Sequence, residues 1–163
     1  MSHAATKWAS FAGAGSHDGS SAANAWSITE MRDNMAAGDV IALKDGNYTS
    51  SIVLNTSGTF ANPIIIRGYD VTDDDINASN GSTFDYGDSV SSSAMPLWTQ
   101  SRTNSEGTGT AIEVNGNYIF LENIQIQYYE KGLVVNGSFG GFNNIITHTT
   151  GNFNPADSYP TRS

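Results

Sequence analysis

The sequence predicts an all-β solenoid, a parallel β-helix closed at its N-terminal end by one short α-helix. Three observations carry this. Short β-rich segments recur, with Gly, Asn, Asp and Ser clusters between them. Two of the segments repeat at one offset of 21 residues. Ile112-Glu-Val-Asn-Gly116 aligns with Leu133-Val-Val-Asn-Gly137, and Leu121-Glu-Asn-Ile-Gln-Ile126 aligns with Phe142-Asn-Asn-Ile-Ile-Thr147. Finally, small polar residues stand where charge would be usual. The 163 residues include 20 Ser, 15 Thr, 16 Asn and 17 Gly. Only 14% are charged, against roughly 25% in ordinary soluble proteins.

The elements follow in order. Residues 1–38 read as an N-terminal cap, Gly/Ser/Ala-rich with Trp8, Phe11 and Trp26 as apolar points. A helix is expected over about 27–37. Ser27 and Glu30 have capping-box spacing, and Ile28, Met31 and Met35 share one face. Gly38 is expected to stop the helix in a left-handed conformation. From residue 39 to 163, short strands are expected at 40–43, 52–54, 64–67, 112–114, 118–121, 124–126, 133–135 and 145–146. No second amphipathic helix separates them, which argues against βαβ units. Residues 70–110, acidic and Ser-rich, read as one long excursion between coils, with the segment around Trp98 packing back.

A period near 21 fits one coil, and matching residues of successive coils then lie above one another. Apolar positions build an interior column. Asn115 is expected over Asn136, and Asn123 over Asn144, as amide ladders. Asn also tolerates the left-handed backbone that sharp corners need. About four coils would follow Asp39. No cap comparable to the N-terminal helix follows them, so the length reads as a truncated solenoid.

Composition excludes several functions. Net charge is −9 with seven Lys plus Arg, which gives no basic footprint for nucleic acid or anionic membranes. Absence of Cys removes disulfides, thiolate metal sites and Cys nucleophiles. No apolar run reaches membrane-spanning length. The N-terminus carries no basic n-region followed by an apolar h-region, so no signal peptide is read. An extracellular or virion-associated location is expected.

Further stretches point to a family. Gly15-Ser-His-Asp-Gly-Ser-Ser-Ala-Ala-Asn-Ala-Trp26, Ala37-Gly-Asp-Val-Ile-Ala-Leu-Lys-Asp-Gly-Asn-Tyr-Thr49 and Ser57-Gly-Thr-Phe-Ala-Asn-Pro-Ile-Ile-Ile-Arg67 resemble the start of right-handed parallel β-helix proteins of the pectate-lyase type. They are most similar to the N-terminal part of polysaccharide lyases of the alginate lyase/chondroitinase B type and of the family-nine pectate lyase type. Gly116-Asn-Tyr-Ile-Phe-Leu-Glu-Asn-Ile-Gln-Ile126 and Asn143-Asn-Ile-Ile146 look like ordinary coils of such proteins. The resemblance implies a right-handed parallel β-helix (solenoid) with a short N-terminal capping α-helix. It also implies β-elimination on acidic glycans. The lyases carry their Lys/Arg pair and calcium carboxylates on later coils, so no residue here takes over a catalytic role.

Site candidates come from the outward rows. Alternation along residues 121–127 turns Glu122, Gln125 and Gln127 outward, and Glu113 faces out on its own strand. Lys131 sits in the corner Tyr128-Tyr-Glu-Lys-Gly132, where aromatics stand near it. These five are the carbohydrate-facing candidates, and rows of this kind suit glycan hydroxyls as well as plain solvation. Lys44, Arg67 and Arg102 complete the cation inventory for lyase chemistry, and Lys44 and Arg67 read as surface or loop-anchoring residues. Asp73-Asp-Asp75 lacks the Gly and Glu spacing of a calcium loop. Asp73 with Asp85 or Asp88 as a hydrolase pair has no distance fixed by sequence. His17 and His148 have no third metal ligand spaced with them. Asn47, Asn55, Asn77, Asn80 and Asn136 head chance sequons. No cofactor is evident, and calcium is an expectation for a full-length lyase only.

The leading expectation is therefore the N-terminal portion of a carbohydrate-active β-helix protein, lyase-like, with polysaccharide as partner and its catalytic machinery outside this chain. The competing expectation is a non-catalytic β-helix of a phage tail appendage or cell-surface adhesin.

Overall fold

The computed structural model describes residues 6–73, 91–100, 108–142 and 144–147. Asp74, Asp75, Asn77, Asn80, Asp85, Asp88, Arg102 and His148 lie outside these residues.

The cap contributes β1 (Lys7–Ser10), β2 (Trp26–Ser27) and α1 (Ile28–Asn34). In α1, the Ser27 side chain accepts from the Glu30 backbone N–H. Glu30 returns a bond to the Ser27 backbone, 2.7 Å long, so both halves of the capping box are made. Ile28, Met31 and Met35 enter the core and close the N-terminal end of the solenoid. The helix is shorter than the sequence predicts. It stops at Asn34, and Met35 is already extended. Gly38 does adopt a positive φ of 92°, but in the next turn, where the Asp39 carboxylate accepts from the Ala36 N–H.

Three parallel strands make each coil. The first holds β3 (Val40–Lys44), β4 (Gly46–Tyr48) and β5 (Ile52–Leu54). Above it lie β6 (Ile64–Tyr69), β7 (Pro96–Thr99) and β8 (Thr110–Val114). The third coil comprises β9 (Ile119–Glu122), β10 (Gln125–Gln127) and β11 (Lys131–Val135). β12 (Phe139–Phe142) and β13 (Ile145–Thr147) follow. Stacking gives three sheets with every strand pair parallel. Sheet A runs β12-β9-β6-β3-β1-β2, sheet B runs β13-β10-β7-β4 and sheet C runs β11-β8-β5. This is a parallel β-helix, and parallel strands joined by crossovers wind right-handed.

Interior columns follow from the register. Ile41, Ile66 and Leu121 are partners in sheet A. Tyr48, Trp98 and Ile126 align in sheet B, where the Tyr48 and Trp98 rings stack at 4.5 Å. Ile52, Ile112 and Leu133 align in sheet C. Most of these are fully buried, each worth about 1.5–3 kcal/mol of transfer free energy. The segment around Trp98 thus forms β7. It returns to the solenoid within the single excursion expected over residues 70–110.

The two repeats do not share one offset. In sheet C the offset is 21, with Ile112 beneath Leu133. In sheet A it is 20, with Leu121 beneath Gly141 rather than Phe142. The turn before β9 has one more residue than the turn before β12. Asn117 still meets Ser138, whereas Ile119 pairs with Phe139, so Tyr118 is the extra residue. It sits at φ 53°. Asn123 consequently does not lie under Asn144. Asn144 bonds the Ile124 N–H and the Leu121 carbonyl of the preceding coil instead. The other ladder forms as the sequence predicts. Asn115 Nδ2 donates to Asn55 Oδ1 at 3.0 Å, and Asn136 Nδ2 to Asn115 Oδ1 at 2.7 Å.

Two tests follow. A Cβ on Gly116 would lie 2.0 Å from the Thr56 carbonyl oxygen, so Gly116→Ala forces two coils apart. Urea unfolding should show a loss of about 3 kcal/mol, and a loss under about 0.5 kcal/mol would contradict the packing. Glu30 is held down to about 2 from its ordinary 4.5, first by the Ser27 backbone N–H, then by His17. A depressed carboxylate stabilises the fold above its unfolded pKa and loses that stabilisation as pH falls through the folded one. Melting temperature should therefore fall between pH 4.5 and 2, and less steeply in Glu30→Gln. Equal slopes would contradict the cap geometry.

Candidate functional site

The five candidates fall on three different sheets. Residues 121–127 are not one strand. The chain turns at Asn123, whose φ is 57°, so Glu122 ends a strand of sheet A while Gln125 and Gln127 belong to sheet B. Glu113 and Lys131 belong to sheet C. No single face gathers them.

Gln125 corrects the expectation of an outward, solvated residue. It is 0% exposed, because residues 91–95 lie over the outer surface of sheet B. Its amide oxygen accepts from the Ser91 N–H at 2.8 Å, and Nε2 donates to the carbonyls of Ser91 and Met95. Gln125 is a clamp for that segment. Gln127 Nε2 donates to Thr99 Oγ1 of the coil below, at 3.2 Å. Glu113 is half-buried and accepts from Asn136 Nδ2.

Glu122 meets Arg67 directly above β6, Nε to Oε2 at 2.8 Å, with both side chains about a fifth exposed. Lys44 is held by the Asp45 carboxylate and the Asp70 carbonyl and lies over the Tyr69 ring. Arg32 pairs with Asp33, and Lys7 lies over Trp26. Among the described residues, Lys131 is the cation with neither an ion pair nor a ring contact, and it is exposed. The aromatics of its corner divide. Tyr129 is buried in the core, so it offers no ring to a sugar. Burial also pushes its phenol up, which keeps it protonated at neutral pH and useless as a base.

The outer surface of sheet A is not singled out by alternation of apolar and polar residues. Val40, Ile65, Phe120 and Gly140 form one column there. The signal was present in the Ile-Phe-Leu of residues 119–121, since Phe120 must face away from buried Ile119 and Leu121. Among the described residues, no group of three or more His, Asp or Glu could hold a metal. Asp73 is bonded by the Thr6 hydroxyl. No helix among them is long and apolar enough to cross a membrane.

No protein-family model and no curated protein matches the sequence. Among solved structures, the crystal structure of pectate lyase Pel9A matches with a TM-score of 0.53 and 19% identity. The match covers 77% of this chain and 28% of that one. At this identity the likeness concerns the fold, a parallel β-helix of the pectate-lyase kind. The chain spans little more than a quarter of that enzyme's length.

The Gln125 clamp is directly testable. Gln125→Leu keeps roughly the volume but removes the bonds to the Ser91 N–H and to the Ser91 and Met95 carbonyls, at a cost of about 1–3 kcal/mol. Unfolding should show that loss, with faster proteolytic nicking near residues 91–95. Unchanged stability and nicking would mean the segment is held by something else.

Proposed function

We propose that this chain is the N-terminal portion of a carbohydrate-active β-helix protein of polysaccharide-lyase type, whose catalytic machinery lies outside these 163 residues. The observation that carries the reading is the match in fold to a pectate lyase over most of this chain and a minor part of that enzyme. β-Elimination needs a base to take the proton beside a uronate carboxylate and a cation to neutralise that carboxylate. The glycosidic C–O bond then breaks and an unsaturated uronate remains. Here Arg67 is engaged by Glu122, and Lys44 by Asp45. Lys131 is exposed and makes no ion pair among the described residues. Such a surface supports binding and alignment of a glycan, with proton abstraction left to other coils.

The test is absorbance of the unsaturated product on alginate, pectate and chondroitin. The 163-residue chain should give none, and the full-length gene product should give turnover on one of them. Turnover by the 163-residue chain would place the site within it and contradict the division of labour. Binding without cleavage by the full-length protein would replace the lyase reading with a non-catalytic tail appendage or adhesin.

A further inference from the structure

Along the outer surface of sheet A, the column Val40, Ile65, Phe120 carries no charge and runs parallel to the solenoid axis. It is only partly covered, and Phe120 is 38% exposed. Its ring lies on the next coil at Gly140, where a Cβ would come 2.3 Å from the ring. Only glycine leaves room for that. The ring thus packs against Gly140. The column spans three strand spacings from Val40 to Gly140, about 14 Å.

A polar row borders it. In the turn that leads into sheet A, Ser57, Asn117 and Ser138 stack in register. The Asn117 N–H donates to Ser57 Oγ at 3.0 Å, and the Ser138 N–H to Asn117 Oδ1 at 3.0 Å. All three are exposed. The side-chain nitrogen of Asn117 donates to no group among the described residues, leaving both its N–H groups for an outside acceptor. Between this row and Phe120 stands Tyr118, 39% exposed. It is the residue that the next coil lacks, held at a φ of 53°. A strained non-glycine residue carrying an exposed ring is an outlier of the kind that accompanies binding surfaces.

An aromatic plane beside amide and hydroxyl donors matches a sugar ring that has an apolar C–H face and equatorial hydroxyls at its edge. Charge selects among glycans. On the same face of sheet A, Arg67 and Glu122 pair with each other, so the strip offers no net positive charge to a uronate carboxylate. We propose that Tyr118, Phe120 and Asn117, with the Ile65 and Gly140 surface, form a binding strip for a neutral β-linked glycan lying along the solenoid axis. This rests on the carbohydrate-active reading and adds a second, uncharged ligand class on a face that the acidic substrate does not need.

The experiment is affinity electrophoresis of the 163-residue chain in gels containing neutral linear β-glucan or polygalacturonate, with calorimetry on a glucan hexasaccharide. Retardation is expected in the β-glucan gel and not with polygalacturonate. Phe120→Ala should weaken hexasaccharide binding about tenfold, a cost of about 1.4 kcal/mol, while its melting temperature stays near the parent's. Asn117→Ala should weaken it less, and Lys131→Ala not at all. β-Glucan binding that Phe120→Ala leaves intact would overturn the strip. So would a concentration-dependent dimer abolished by Phe120→Ala, which would make the strip a protein interface. Retardation by polygalacturonate alone, lost in Lys131→Ala, would overturn the strip but leave the lyase-type reading standing. No binding to either gel would overturn the strip, and the full-length assay on acidic glycans would then decide the parent reading separately.

Discussion

In-register parallel stacking sets about 4.8 Å between one coil and the next, and the other features of this molecule answer to that spacing. It places every residue against its counterpart one coil away, so residue types are chosen in columns. Apolar columns fill the interior: Ile41, Ile66 and Leu121 in one sheet, Tyr48, Trp98 and Ile126 in another. A column of like charges would repel at each step, which accounts for the low charge and the abundance of Asn and Ser. Amides bond up the stack, as Asn55, Asn115 and Asn136 do. The spacing also demands glycine where coils approach most closely. Gly116 has the Thr56 carbonyl beneath it, and Gly137 has the Gly116 carbonyl beneath it.

The energetic ranking follows. Each fully buried interior side chain contributes about 1.5–3 kcal/mol, whereas an exposed amide–amide bond contributes about 1 kcal/mol or less. The core therefore makes the solenoid, and the ladders select which residue sits above which. The register still shifts by one between sheets C and A, because Tyr118 is accommodated in the turn without disturbing the apolar columns on either side.

Much of this was legible in the sequence. The repeated Asn-Gly at 115–116 and 136–137 marked a coil boundary, and Ser27 with Glu30 marked the cap. What escaped has identifiable causes. A single inserted residue at a left-handed φ leaves no sequence signature when the residue is Tyr, so the second repeat was aligned one position out. Along residues 121–127 the alternation slips at Asn123, since Glu122 and Gln125 lie three positions apart, and that slip marks the corner that divides them between two sheets. Gln125 reads as a surface residue until residues 91–95, 30 to 34 positions away, cover it. The outer face of sheet A was concealed by composition, since Val40, Ile65 and Phe120 are residue types expected inside.

On the functional side, the same columns that stabilise the solenoid also pattern its surface. On sheet B the clamped segment covers Gln125, and sheet C presents Glu113 and Lys131. The outer side of sheet A alone combines an exposed ring, an apolar column and an adjoining row of donors among the described residues. Amide NMR shift mapping during titration of the 163-residue chain with a neutral β-glucan hexasaccharide tests this partition most directly. Saturable shifts concentrated at residues 117–122 and 138–141 are expected. Shifts concentrated instead at residues 110–113 and 131–134 of sheet C would contradict it.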